Sequence, residues 1–289
     1  MTRPNFHNPT KQDGPLKWHG GKSYLARWII DQMPDHDVYC EPFCGGAQVF
    51  FHKAASPRPS LLNDLDWGLM NFLRLLRKHP DSLADRLWTL RYKEETFDQA
   101  CQCWERLNTA RGRTYAMEQA IYFLIRNRMS RGGLGKTFAW SERLRNNRPG
   151  DENAWLSTLE RMPALSAHLQ GARLLNHPAS KIIDQAAWRY PKKRILFYLD
   201  PPYLHVTRSA TDAYGCEMSD EAHSQLATQL RTLPHPVILS GYPSEEYEKW
   251  YGDWRCARKG VPNHAGQNDT KQRRTECLWM NYDEQGELL

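Results

Sequence analysis

The order of strand-like and helix-like segments predicts an α/β chain built on a doubly wound sheet, interrupted by a mainly helical insert. Three observations predict it. Short apolar runs at residues 38–40, 60–63 and 195–199 each end at an acidic residue or a Gly/Pro turn. Helical apolar spacing follows the first two of them within a few residues. A long middle stretch is helical and basic, and strand-like text resumes only after Leu174. A chain of 289 residues suits one large domain carrying a smaller insert. The expected division is 1–77 with 176–289 for the sheet domain and 78–175 for the insert.

Taken in order, Val38-Tyr39-Cys40 reads as a short strand running into Glu41-Pro42-Phe43-Cys44-Gly45-Gly46, a turn that opens a helix over 48–54. Ser60-Leu61-Leu62-Asn63 is a second strand, ending at Asp64, and Leu69, Phe72, Leu73, Leu75 and Leu76 then keep helical spacing. From Pro80 to Arg128 the pattern stays helical through Leu83, Leu87, Leu90, Ile121, Phe123 and Leu124. Residues 130–151 are rich in Gly, Arg and Asn with little periodicity, which predicts a long functional loop or hairpin. Residues 194–199 form a buried strand that runs into Asp200-Pro201-Pro202-Tyr203. A helix over 220–231, a strand over 237–240 and a closing pair of strands near 254–257 and 276–282 complete the pattern.

Composition narrows the function classes. Apolar residues make up 40% and charged residues 25%, which is globular, and the mean hydropathy is −0.74. No apolar run approaches the length of a bilayer span, so a membrane protein is not expected. The N-terminus lacks a basic stretch followed by an apolar one, and the seven cysteines are odd in number and scattered. Both features predict reduced thiols and a cytoplasmic location. The net charge of +6 is concentrated: residues 126–148 hold seven Arg and Lys against a single acid, Glu142. Such a field suits a polyanion partner, although a solvated surface run fits the charge equally well.

The sharpest motif is Asp200-Pro201-Pro202-Tyr203. By chance it turns up in a chain of this length on the order of once in a thousand. It begins just past a strand's carboxyl end, where open α/β sheets bind ligands. The prolines fix φ and carry no N–H, so a carboxylate, a bare carbonyl and an aromatic ring are held in fixed relation. That trio suits methylation of an exocyclic amine such as that of adenine, whose lone pair is delocalised into the ring. A carboxylate and a carbonyl accepting its two N–H bonds favour the pyramidal, nucleophilic form. Tyr203 would stack on a base taken out of the duplex. The bland alternative is a strand-ending turn with a buried tyrosine.

The glycines of the Glu41–Gly46 turn let backbone approach a cofactor, and Asp64 lies roughly 20 residues on, where a doubly wound fold binds a ribose. No G-x-G-x-x-G is present, which argues against a nicotinamide dinucleotide. Leu16-Lys17-Trp18-His19-Gly20-Gly21-Lys22-Ser23 imitates the end of a phosphate-binding loop but lacks its first glycine and a preceding strand. Within it, Lys22 suits a carboxylate partner and Trp18 an adenine or sulfonium face. Cys101-Gln102-Cys103 lacks a partner pair at zinc spacing and no H-E-x-x-H occurs, so no metal is expected. Trp88 and Trp104 read as core. No cysteine follows a proline, which argues against the covalent chemistry of cytosine-C5 methylation.

In this order the three segments, with Asn63-Asp64 and the terminal strand Thr275-Glu276-Cys277-Leu278-Trp279-Met280-Asn281-Tyr282, resemble the Dam-like (D12 class) adenine-specific DNA methyltransferases, of the α type in motif order. The resemblance covers nearly the whole chain. It implies a Rossmann-like methyltransferase sheet, S-adenosylmethionine as cofactor, and direct transfer to adenine N6 in double-stranded DNA by Asp200, Pro201, Pro202 and Tyr203. By the same resemblance Trp18, Lys22, Asp64 and Asp200 bind the cofactor or lie beside it. Glu41, Phe43 and Gly45 line its pocket. The insert would recognise DNA, and the expected contacts are Arg126, Arg128, Arg131, Lys136, Arg143 and Arg145, with the polar segment 259–274 as a second candidate. His19 stands where the family usually has a small residue. A monomer with a restriction-modification or phage setting is expected. Cytosine-N4 methylation and a non-catalytic DNA-binding regulator are the alternatives.

Overall fold

The computed structural model describes residues 13–18, 20–109, 116–145, 147–204, 218–262 and 273–289. In chain order its elements are α1 (Ala26–Ile30), β1 (Val38–Glu41), α2 (Gln48–His52), β2 (Ser60–Asn63), α3 (Trp67–Lys78), α4 (Pro80–Trp88), α5 (Glu94–Thr109) and α6 (Ala116–Arg128). Next come β3 (Leu144–Arg145), β4 (Arg148–Pro149), α7 (Gly150–Glu160), α8 (Met162–Leu169), β5 (Ala172–Leu175), α9 (Ala179–Arg189) and β6 (Ile195–Leu199). The chain continues through α10 (Asp220–Arg231), β7 (Val237–Gly241), α11 (Glu245–Tyr251), β8 (Arg255–Pro262) and β9 (Arg273–Met280). Seven strands form one sheet in the order β5-β2-β1-β6-β7-β9-β8. Pairing is parallel from β2 through β7, while β9 runs antiparallel to both β7 and β8. This mostly parallel sheet with helices is the Rossmann-like α/β architecture expected from the sequence.

The chain divides into two compact units. One comprises Trp28–Cys44, Arg58–Leu65 and His177–Leu289 and holds most of the sheet. Every residue of β1, β6 and β7 is buried, which is why these strands read as unbroken apolar runs. Register aligns Tyr39 with Leu196, and Phe197 with Val237. Helices α10 and α11 begin at Ser219 and Ser244, whose hydroxyls accept the N–H groups of Ala222 and Tyr247, with acidic residues in each first turn.

The other unit comprises Met1–Arg27, Gly45–Pro57 and Asp66–Asn176 and is mainly helical. Asp66 caps α3 by accepting the Leu69 N–H, and α3 buries Leu69, Met70, Phe72, Leu73 and Leu76. Phe72 and Trp104 both meet Phe123 of α6, with ring centroids 6.0 and 5.7 Å apart. Pro80 opens α4 at its first turn, where no N–H is needed.

Several elements differ from the sequence reading. The expected loop over 130–151 is shorter and more ordered. It holds a single 3-10 turn at Arg131–Gly133, an isolated bridge from Ser130 to Phe138, and the β3–β4 hairpin; α7 already starts at Gly150. Asn147 takes φ +60° at the tip of that hairpin, a conformation asparagine tolerates better than most residues. β5 lies inside the stretch expected to be the helical insert, because Arg173 is exposed between buried Ala172 and Leu174 and its four residues form no apolar run. Helix α2 stops at His52, since Lys53 is extended. The closing hairpin spans Arg255–Pro262 and Arg273–Met280. Trp88 and Trp104 are half-buried, not core. Among the described residues, no helix is long and apolar enough to cross a membrane.

Candidate active site

Strand β6 delivers Asp200 just beyond its buried end. Asp200 Oδ1 accepts a hydrogen bond from the hydroxyl of Ser240, on β7, at 2.7 Å. Ser240 is wholly buried, and its oxygen also lies 3.3 Å from the Leu199 carbonyl. Tyr203 donates its hydroxyl to Oε1 of Glu276 on β9. Both partners are buried, at 4% and 1% exposure. Burial first, then the charges of Asp200 and Glu276, hold the Tyr203 phenol well above its ordinary pKa, so the tyrosine is the donor. The Tyr203 ring meets Tyr242 edge-on, with centroids 4.7 Å apart, and the Arg274 guanidinium lies 5.4 Å from the centre of the Tyr242 ring. β7 and β9 are paired, with Ser240 opposite Leu278 and Gly241 opposite Cys277. The groups that hold the two ends of the motif therefore ride on adjacent strands.

In the same unit the turn after β1 is held from β2. Cys44 N–H donates to the Asn63 carbonyl at 2.8 Å. The Asn63 side chain, 1% exposed, donates to the carbonyls of Pro42 and His177, each at 2.9 Å, and accepts the His177 N–H at 3.0 Å. Glu41 is buried and accepts the Tyr39 hydroxyl at 2.5 Å. Phe43 and Asp64 are half-buried.

In the helical unit, which includes all three residues, Trp18 packs on Gly45 and Gly46. Gly45 has φ +46°, and a Cβ placed there would overlap the Trp18 indole; one on Gly46 would lie 2.9 Å from Trp18 Cβ. The buried Lys22 ammonium donates to the Gly20 carbonyl at 3.1 Å. Gln48 ties the Trp18 segment down, accepting from Gly14 N–H at 3.0 Å and donating to the Leu16 carbonyl at 3.1 Å.

The basic residues separate into two groups. Arg131, Lys136 and Arg143 are exposed. Arg126 and Arg128 instead turn inward: Arg126 lies 5.2 Å from the centre of the Trp104 ring, and Arg128 donates to the Ala154 carbonyl at 3.0 Å. Burial lowers the Arg128 pKa to about 10. The reason is helical spacing, since Arg128 follows Leu124 by four residues and so shares its inward face. The side chain of Arg145, His19 and residues 263–272 of the second candidate segment lie outside the described residues; Lys259 lies 5.4 Å from the centre of the Trp28 ring. Among the described residues no cluster of His, Cys, Asp or Glu has metal-holding geometry. Ser240, Glu276 and the hub role of Asn63 were not foreseen, because a buried polar residue shows its purpose only through its tertiary partner.

The family model for D12 class N6 adenine-specific DNA methyltransferases matches residues 18–263. The chain belongs to that family. Curated relatives agree over most of their length. The chain is 25% identical over 280 residues to a protein named Type II methyltransferase M1.LlaDCHI from Lactococcus lactis subsp. cremoris, covering 92% of this chain and 94% of the relative. It is 25% identical over 250 residues to the DNA adenine methylase of Serratia marcescens, covering 82% and 86%. It is 22% identical over 253 residues to Type II methyltransferase M.CviBI of Paramecium bursaria Chlorella virus NC1A, covering 82% and 90%. This methyltransferase is thus an enzyme that modifies the N6 amine of adenine in DNA.

Proposed function

We propose that Asp200 and the Pro201 carbonyl accept the two N–H bonds of the target amine, with the adenine extruded from duplex DNA and backed by the Tyr203 ring. The observation that carries this is the Ser240–Asp200 hydrogen bond, which aims a carboxylate at the end of β6 beside a carbonyl whose following residue, Pro202, has no N–H. Stacking on Tyr203 uses a ring already fixed by Glu276 and Tyr242.

S-adenosylmethionine, the proposed cofactor, supplies when bound a methyl group on a cationic sulfonium. The residues suit such a group: Glu41, Asp64 and Asp200 are acids, and Trp18 and Phe43 offer aromatic faces to a cation. The glycine at position 45 supports this, because its lack of a side chain is what leaves the Trp18 indole in place. Lys22 completes the proposed set. Arg131, Lys136 and Arg143, with Arg145, are the proposed contacts to phosphates and bases; Arg126 and Arg128 support the fold around them. The protein acts as a monomer in the cytoplasm on this reading.

Incubation of labelled S-adenosylmethionine with unmethylated duplex DNA, followed by nucleoside analysis, tests the proposal. N6-methyladenine from the wild type and none from Asp200→Ala is the expected result. Full activity in Asp200→Ala overturns the assignment of the motif, and N4-methylcytosine overturns the target base.

A further inference from the structure

The geometry points to Asn127 as a positioning residue that couples the 131–136 turn to the backbone of Lys17 and Trp18, so that DNA on the turn changes how tightly the cofactor is held. The inference rests on the proposed roles of Trp18, Arg131 and Lys136.

Asn127 lies in the last turn of α6 and is buried. Its Oδ1 accepts the Lys17 N–H at 2.9 Å, while its Nδ2 donates to the Lys17 carbonyl at 2.6 Å and to the Gly133 carbonyl at 3.2 Å. One amide thus grips both backbone groups of a residue 110 positions away, and the turn as well. Neighbouring contacts remove the slack. Gly135 N–H donates to Ser130 Oγ at 2.8 Å, and Lys17 Nζ reaches the Ser130 carbonyl and Asp151, each at 3.4 Å. Gly133, at φ +78°, sits so close that a Cβ would overlap the Lys17 carbonyl oxygen.

A displacement of this turn must therefore carry Lys17 with it or break a part-buried hydrogen bond. Trp18 is the next residue, and its indole lies on Gly45. A turn that only carried Arg131 and Lys136 to a polyanion would need no link to that segment through a buried amide such as Asn127. Coupling of this kind is reciprocal: DNA tightens cofactor binding by the same factor that cofactor tightens DNA binding.

Cofactor affinity is measured calorimetrically with S-adenosylmethionine's demethylated product, S-adenosylhomocysteine, with and without unmethylated duplex DNA. The expected result is a wild-type affinity at least about five-fold higher on DNA, and a ratio near one in Asn127→Ala. Gly133→Ala, which pushes on Lys17 from the turn, is expected to weaken cofactor binding several-fold with no DNA present. It decides the matter if Asn127→Ala does not fold. A wild-type ratio near one, an unchanged ratio in Asn127→Ala, or an unchanged cofactor affinity in Gly133→Ala overturns the inference. Trp18→Ala and the double variant Arg131→Ala/Lys136→Ala separate the two levels. If these leave cofactor and DNA affinity intact, the underlying site reading fails; if they weaken them while Asn127→Ala keeps the ratio, only the coupling fails.

Discussion

The Ser240 hydroxyl, itself fully buried, stands 2.7 Å from Oδ1 of the half-buried Asp200. A hydrogen bond to a charged group contributes about 1.5–3 kcal/mol. Ser240→Ala is therefore expected to slow methyl transfer about ten-fold or more while the protein remains folded. Single-turnover kinetics at saturating cofactor and DNA check this, and an unchanged rate would mean that Asp200 is aimed by other contacts.

Tyr203→Phe keeps the ring but removes the donor to Glu276, leaving a buried carboxylate without that bond. A loss of about 1–3 kcal/mol in denaturant stability is expected. Adding Glu276→Gln, which removes the charge, is expected to recover part of it. Additive losses in the double variant would show that the two residues do not act as a pair.

The buried phenols make the fold sensitive to alkali. Burial raises Tyr39 and Tyr203 well above the ordinary value of 10, and Tyr203 is raised further by Asp200 and Glu276. The unfolded chain releases these protons near pH 10 while the folded chain retains them. Their contribution to stability is therefore complete below pH 10 and falls as pH rises beyond it. Urea midpoints measured from pH 8 to 11 should drop above pH 10, and Tyr203→Phe should flatten part of that drop.

Gly45→Ala places a methyl group into the Trp18 indole and forces an L-residue to φ +46°. Backbone strain of this kind costs about 1–3 kcal/mol. Displaced indole and weakened cofactor binding, by about ten-fold or more, are expected together. Tryptophan emission and calorimetry on the same sample measure both.

The two groups of basic residues should behave differently on DNA. Each phosphate contact contributes about 0.9 to the slope of log affinity against log salt. Arg131→Ala and Lys136→Ala should each weaken binding and shallow that slope. Arg128→Met should lower thermal stability and leave the slope unchanged. A shallower slope in Arg128→Met would place that guanidinium on the DNA.

The central strands β1, β6 and β7 were legible because burial on both faces leaves an apolar run that nothing else explains, as at 195–199. Helix α10 was legible to the residue because Ser219 marks its start and Asp220 and Glu221 follow. Charge counting was blind to direction: it placed Arg126 and Arg128 with Arg131, although helical spacing from Leu124 already turned Arg128 inward. Asp200 and Tyr203 were legible as a motif. Ser240 and Glu276 were not: Ser240 lies in an apolar strand whose pattern says only that the side chain is hidden, and Glu276 follows Arg273-Arg274-Thr275, whose polarity gives no sign that it is buried. The Lys17–Asn127 contact spans 110 positions and leaves no local trace.

The separation of Tyr203 from Glu276 by 73 positions has a consequence for biosynthesis. Ser240 follows Asp200 by 40 positions. A ribosome that has just made the tetrapeptide has not yet made either of the groups that anchor it. Both anchors arrive with β7 and β9, which pair antiparallel in the finished sheet. The nascent chain thus passes through a stage at which the motif exists in sequence while neither of its anchoring partners does.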